Sequence, residues 1–204
     1  MPAARAEGAG KGFRTRERIL TTAAELFHQR GVNATSLGDV LRASGTGKGQ
    51  FYDHFEGRDE LVNEVLARQA AFVESWPAIE SWADLRAWMD GYAQRQRDSG
   101  YLVGCPIGTA AYALQPDQNH PRETLRQSFE GMRRLLAAFF RREQRAGRLR
   151  RDASPRQLAD FAIAAVQGAL ILGLLERRGQ PVRRVIDQAY LHLSSHAVPR
   201  GNDA

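Results

Sequence analysis

The sequence predicts an all-α protein of about nine helices, in which an N-terminal three-helix helix-turn-helix domain precedes a larger C-terminal helical domain. Apolar residues recur at i, i+3 and i+4 along most of the chain, and no stretch alternates with the period of two that a half-buried strand requires. Two Ser-x-x-Asp boxes, Ser36 with Asp39 and Ser81 with Asp84, mark helix starts. Between Thr35 and Leu61, two short helical patterns flank a glycine turn and run into a third helix.

Residues 1–14 carry Arg5, Lys11 and Arg14 without an apolar run, so a flexible basic arm is expected there and not an export signal. A helix is predicted from Thr15 to Arg30, with Ile19, Leu20, Ala23 and Phe27 on one face and Gly31 as its stop. Ser36 and Asp39 open the next helix, which turns Leu37, Val40 and Leu41 inward. Gly45 ends it, because glycine reaches positive φ without Cβ strain. The second helix of the motif is expected over about Lys48 to Phe55. Phe51 and Phe55, four apart, face inward and leave Lys48, Gln50, Tyr52 and His54 outward. A helix so exposed fits a major groove about 12 Å wide, although an ordinary α-hairpin has the same local pattern. The helix from Arg58 to Trp76 stops before Pro77 and is long enough to leave a first domain (15–60) and enter a second (61–204).

In the second domain, Leu85, Trp88, Met89 and Tyr92 follow the Ser81 box at helical spacing. Residues 101–114 are expected as a loop and short helix, and a long helix from about Pro121 to Arg145 turns Leu125, Phe129, Met132, Leu136, Phe139 and Phe140 inward. Ser154-Pro155 supplies an N-cap and an N1 proline for a helix that is apolar nearly all round from Leu158 to Leu175. A last helix, about Val182 to His196, carries an apolar stripe including Ile186 and Tyr190.

With 204 residues, 43% of them hydrophobic, the chain is long enough for one compact body and a small head. Its formal net charge of +6 permits an anionic partner. Cys105 is the single cysteine, which excludes an intramolecular disulfide and a zinc site built on several thiolates, and suggests a reducing, cytoplasmic setting. The apolar run over 161–175 falls short of the roughly 20 residues of a membrane span, so no membrane association is expected. No catalytic constellation stands out and no metal or cofactor is expected. His192 and His196 have ligand spacing without a nearby carboxylate or thiol, and Gly45 to Gly49 lacks the P-loop spacing.

The residues Arg18-Ile19-Leu20, Ala23-Ala24-x-Leu26-Phe27, Gly31, Ala34-Thr35-Ser36-Leu37, Gly45, Gly49-x-Phe51-Tyr52-x-His54-Phe55, Arg58 and Leu61 resemble the TetR family of bacterial transcriptional regulators. The resemblance covers about the first third of the chain. It implies DNA contacts from Thr35, Ser36, Thr46, Lys48, Gly49, Gln50, Tyr52, His54 and Arg58: Lys48 and Gln50 at bases, Tyr52 and His54 at phosphates, and Arg58 as a phosphate clamp. Gly38 and Asp53 depart from the family pattern, the first by lacking a polar side chain and the second by its negative charge.

By the same resemblance the chain is expected to act as a homodimeric repressor of a palindromic double-stranded DNA operator, released when a small-molecule inducer spreads the two heads. A regulator without an inducer, controlled by a partner or by redox chemistry, and a helical enzyme or carrier are the other classes considered. The expected inducer cavity is lined by Trp88, Met89, Tyr92, Cys105, Tyr112, Phe129, Met132, Phe161 and Gln167, a set suited to an apolar, ring-bearing molecule. Gly104-Cys105-Pro106-Ile107-Gly108 also resembles the start of the sixth helix in a multidrug-responsive subgroup. Two-fold association is expected through Ala165, Gly168, Ala169, Leu172, Leu175, Ile186 and Tyr190 on the last two helices.

Overall fold

A computed structural model describes residues 10–74, 77–113 and 119–198, and among these it contains nine helices and no strand. They are α1 (Lys11–Arg30), α2 (Leu37–Ser44), α3 (Lys48–Tyr52), α4 (Arg58–Glu74), α5 (Trp82–Asp98), α6 (Pro106–Tyr112), α7 (Asn119–Arg145), α8 (Pro155–Glu176) and α9 (Gly179–Ser194). The all-α expectation and the division into an N-terminal helix-turn-helix and a C-terminal helical body hold.

The head is α1 to α3 closed by the start of α4. Ile19, Leu20, Ala23 and Phe27 of α1 are buried against Val40, Leu41, Phe51 and Phe55, as their spacing predicts. In the body, α4 and α8 pack along α7, α9 lies against α8, and α5 rests on both α8 and α9. Leu136, Phe139 and Phe140 of α7 are fully buried there, with the Trp82 ring edge-on to Phe139 at 5.2 Å. Ion pairs Arg16–Glu64 and Arg68–Glu17 join α1 to α4.

Several boundaries differ from expectation. α1 starts at Lys11, so a boundary at 14/15 cuts a continuous helix: Gly10 accepts from the Arg14 amide at 3.2 Å and Thr15 Oγ1 bonds the Lys11 carbonyl at 3.1 Å. Residues 1–9 of the expected arm lie outside the described residues, as does Trp76 at the expected end of α4. α3 stops at Tyr52, not Phe55, because the His54 amide closes a tight turn on the Phe51 carbonyl at 2.9 Å. α9 begins at Gly179, directly after Arg177 turns the chain with φ 49°. With 22 residues, α8 is long and apolar enough to cross a bilayer by length and composition, contrary to the shorter run read from sequence. One face of it, Leu158, Ala162, Val166, Ala169, Leu170 and Gly173, is nevertheless buried within the chain.

Candidate functional site

Local chemistry builds the helix-turn-helix. The Ser36 hydroxyl accepts from the Asp39 amide at 3.1 Å while Asp39 Oδ2 accepts from the Ser36 amide at 3.0 Å, satisfying two otherwise orphaned donors. The Ser36 hydroxyl also donates to Asp39 Oδ2 at 2.5 Å, and this bond first, then the one from the Ser36 amide, holds the Asp39 carboxyl below its ordinary pKa. Gly45 ends α2 with φ 63°, and the Thr46 amide returns to Leu41 at 3.0 Å. Phe51 of α3 and Phe55, just beyond its end, stack at 5.2 Å, and the Arg16 guanidinium covers Phe55 at 5.2 Å. This anchor leaves Lys48, Gly49, Gln50 and Tyr52 facing solvent, Tyr52 being 56% exposed. Gln50 Oε1 also accepts from the Gly47 amide at 3.4 Å, so it helps to start the helix it projects from.

Three expected DNA contacts have other partners. Thr35 is 1% exposed and its hydroxyl bonds the Gly31 carbonyl at 2.9 Å. Thr46 is 6% exposed, with its hydroxyl accepting from Ser44 Oγ at 3.1 Å. Arg58 bonds the carbonyls of Thr35 and Val32, so its guanidinium closes the head on itself instead of standing free as a phosphate clamp. Unsatisfied carbonyls in a loop are costly, and a nearby guanidinium with five donors is the best group to cap them. Arg18, unmarked by the DNA-contact pattern, does the same for the turn: its Nε donates to the Ser44 carbonyl at 2.8 Å. His54 is half-buried, and a Cβ on Gly12 would stand 3.4 Å from its ring, so the first turn of α1, bearing exposed Lys11, adjoins the end of α3.

The body holds more than one cavity, not the single aromatic chamber that the sequence suggests. A cavity of about 570 Å³ lies along α5, lined by Ile79, Asp84, Trp88, Gly91, Tyr92 and Arg95. Trp88 and Tyr92 meet edge-on at 5.2 Å, and the Tyr92 hydroxyl reaches the Met132 sulfur at 3.5 Å. Burial pushes the Tyr92 phenol well above its ordinary pKa. A second groove of about 380 Å³, between α6 and α8, gathers Cys105, Gly108, Tyr112, Gln167 and Ile171. Met89 and Met132 are core side chains with no free surface, and Phe129 is half-buried against that core. Phe161 points outward and meets the His192 ring at 4.6 Å in a tilted pair, with His196 beyond His192 at 5.2 Å. Helical spacing reports which face is apolar; it does not report whether that face meets another side chain or a void.

The proposed association face also divides. Ala169 and Ile186 are buried inside the chain because α9 packs on that side of α8, and Ala165, Gly168 and Tyr190 are half-buried. Leu172 and Leu175 do face outward, and Ile171, Leu174 and Leu191 are exposed as well.

Known proteins share this organisation. Residues 19–65 match the family described as bacterial regulatory proteins, tetR family, and residues 82–189 match the tetracyclin repressor-like C-terminal domain. The HTH-type transcriptional repressor DhaR of Mycobacterium sp. (strain GP1) is 28% identical over 82% of this chain and 86% of its own length. An HTH-type transcriptional regulator of Mycobacterium tuberculosis is 30% identical over 82% of this chain and 88% of that protein. Among solved structures, a TetR transcriptional regulator from Chloroflexus aurantiacus superposes with a TM-score of 0.77 at 23% identity, over 92% of this chain and 98% of the other. The chain therefore belongs to the TetR family of bacterial regulatory proteins and is a DNA-binding transcriptional regulator, not an enzyme.

Proposed function

We propose that this regulator is a ligand-responsive repressor that binds a palindromic operator as a homodimer in the cytoplasm. The observation that carries the reading is the outward row Lys48, Gly49, Gln50 and Tyr52, held on the buried Phe51–Phe55 stack. Lys48 and Gln50 stand where a recognition helix presents side chains to base edges, and Tyr52 where it meets phosphate. The name of the similar DhaR, a repressor, supports the direction of control. Outward Leu172 and Leu175 supply an apolar surface for a second copy.

Two recognition helices must stand about 34–36 Å apart to enter successive major grooves. α4 begins in the head and runs along α7, so a displacement of the body changes that spacing. A molecule in the α5 cavity beside Trp88 and Tyr92 releases the operator only by binding the spread arrangement more tightly than the DNA-bound one. The test is selection from randomised DNA. Wild type enriches an inverted repeat; Gln50→Ala weakens binding by about 1–3 kcal/mol per half-site and relaxes one base position, whereas Tyr52→Phe weakens every sequence alike. An unchanged preference in Gln50→Ala rejects the base-reading assignment.

A further inference from the structure

The last turn of α1 is where the head is wedged against the body, and it places a histidine there. His28 shares a closed space with Tyr92 and Arg95 of α5, Cys105 at the start of α6 and Leu170 of α8, and α1 packs on α6 alongside it. The gap these side chains leave is about 20 Å³, room for no more than one water. His28 Nδ1 is buried and has no hydrogen-bond partner among the described residues.

An imidazolium carries a proton on both nitrogens, whichever tautomer the neutral ring adopts. When charged, His28 must hold an N–H on Nδ1 where no acceptor stands, and a buried charged donor left unpaired is costly. The neighbouring charge also has the wrong sign. Burial first, and then the Arg95 guanidinium, lower the His28 pKa below its ordinary 6.5. The other titratable groups around the ring are the Cys105 thiol and the Tyr92 phenol, which burial holds above its ordinary pKa, and α8 offers only Leu170. Among the described residues lining this space none is a carboxylate. The remaining ties of α1 and its following loop are insensitive to mild acid: Arg68 of α4 bonds Glu17 and holds that carboxyl below its ordinary pKa, and Asn33 Nδ2 donates to the Ala113 carbonyl after α6 at 2.6 Å.

We propose that His28 is a proton-sensitive latch between head and body: the neutral ring packs the seam closed, and its protonation drives α1 off α5 and α6, swings the head and weakens operator binding. This rests on the operator-binding dimer proposed above, in which the spacing of the heads sets affinity. In an opened seam the ring meets water and regains its ordinary basicity, so the open arrangement binds the proton more tightly and acid favours it. One proton per protomer allows at most a tenfold shift per pH unit.

The experiment measures operator affinity of the full-length protein by fluorescence anisotropy from pH 7.5 to 5.5 at fixed ionic strength, and follows hydrogen exchange of residues 24–30 and 103–108 without DNA. Wild type is expected to lose about tenfold in affinity over that range and to lose exchange protection in both segments together. His28→Gln and His28→Phe, neither of which can be charged, should keep both. The other histidines are common to all three proteins, so the difference between the curves isolates His28. Parallel affinity curves in wild type and the variants, or protection that falls equally in all of them, would overturn the latch. Should neither variant fold, the wild-type exchange pattern decides: loss confined to the two segments supports the latch, and loss spread evenly along the chain rejects it. A wild type that binds no inverted repeat at pH 7.5 rejects the operator reading, and the exchange data, taken without DNA, still decide whether the seam opens with His28.

Discussion

Arg58 donates to the carbonyl of Thr35 from Nε at 3.3 Å and from Nη2 at 3.2 Å, binding the first residue of α4 to the loop that precedes α2. The same guanidinium bonds the Val32 carbonyl, and the Thr35 hydroxyl in turn bonds Gly31. The end of α1, the entry to α2 and the start of α4 are thus one hydrogen-bonded knot. It fixes the angle at which α4 leaves the head.

If Arg58 is a staple, its removal should act on stability and leave the electrostatics of DNA binding alone. Arg58→Ala is expected to cost about 1.5–3 kcal/mol of folding stability, the scale of hydrogen bonds to a charged donor. The slope of log affinity against log salt should stay at its wild-type value. Loss of one phosphate contact would instead reduce that slope by about 0.9. Fluorescence anisotropy at several salt concentrations separates the two; a slope change of that size in Arg58→Ala restores the phosphate clamp.

A second prediction concerns acid. Burial, and then the nearby Arg95 charge, lower the His28 pKa below its ordinary 6.5, and its Nδ1 is buried without a hydrogen-bond partner among the described residues. The folded state therefore binds fewer protons at this site than the unfolded chain. Stability is full above the unfolded value of 6.5 and falls as pH drops from there through the lowered folded pKa. Urea midpoints measured from pH 7.5 downward should decline in wild type and decline less in His28→Gln. Parallel curves for the two proteins would remove His28 as the source.

Much of the architecture is legible in short-range chemistry. Ser36 with Asp39, Ser81 with Asp84 and Ser154 before Pro155 each start a helix where the sequence places it, because cap and capped amide lie within three residues of one another. α1 gives no such signal, since Gly10 caps it without a side-chain bond. The outward placing of Lys48, Gln50 and Tyr52 was legible in the sequence, and the burial of Thr35 and Thr46 and the bonding of Arg58 were not. Arg58 meets partners 23 and 26 residues away, and no local spacing encodes such a bond. Cavities are harder still: Trp88 and Met89 are adjacent in an apolar pattern, yet one lines an open space and the other is packed on every side.

A third prediction follows from the division of α8. Leu175 is 74% exposed, so Leu175→Arg should leave a single chain folded, whereas Ala169→Arg, at a position 0% exposed, would place an unpaired charge inside the protomer and unfold it. Light scattering of Leu175→Arg is expected to show a folded monomer with weakened operator binding. An unchanged dimer would move the association face elsewhere.

The inducer cavity can be located by setting the α5 cavity against the groove between α6 and α8. Trp88 lines the α5 cavity and stacks edge-on with Tyr92, whereas Tyr112 stands exposed at the groove between α6 and α8. A ring-bearing molecule beside Trp88 gains an aromatic contact worth about 0.5–1.5 kcal/mol beyond its buried area, so Trp88→Ala should weaken it by about tenfold once lost area is included. The neutral fluorescent probe N-phenyl-1-naphthylamine reports this directly, and gel shifts at matched probe concentrations report operator release. Trp88→Ala is expected to need the higher concentration in both assays, while Tyr112→Ala and Cys105→Ser respond as wild type. Loss of response in Tyr112→Ala with normal behaviour of Trp88→Ala would instead place the ligand against α6 and α8. A Cys105→Ser protein that alone fails to respond would point to thiol chemistry in place of ring recognition.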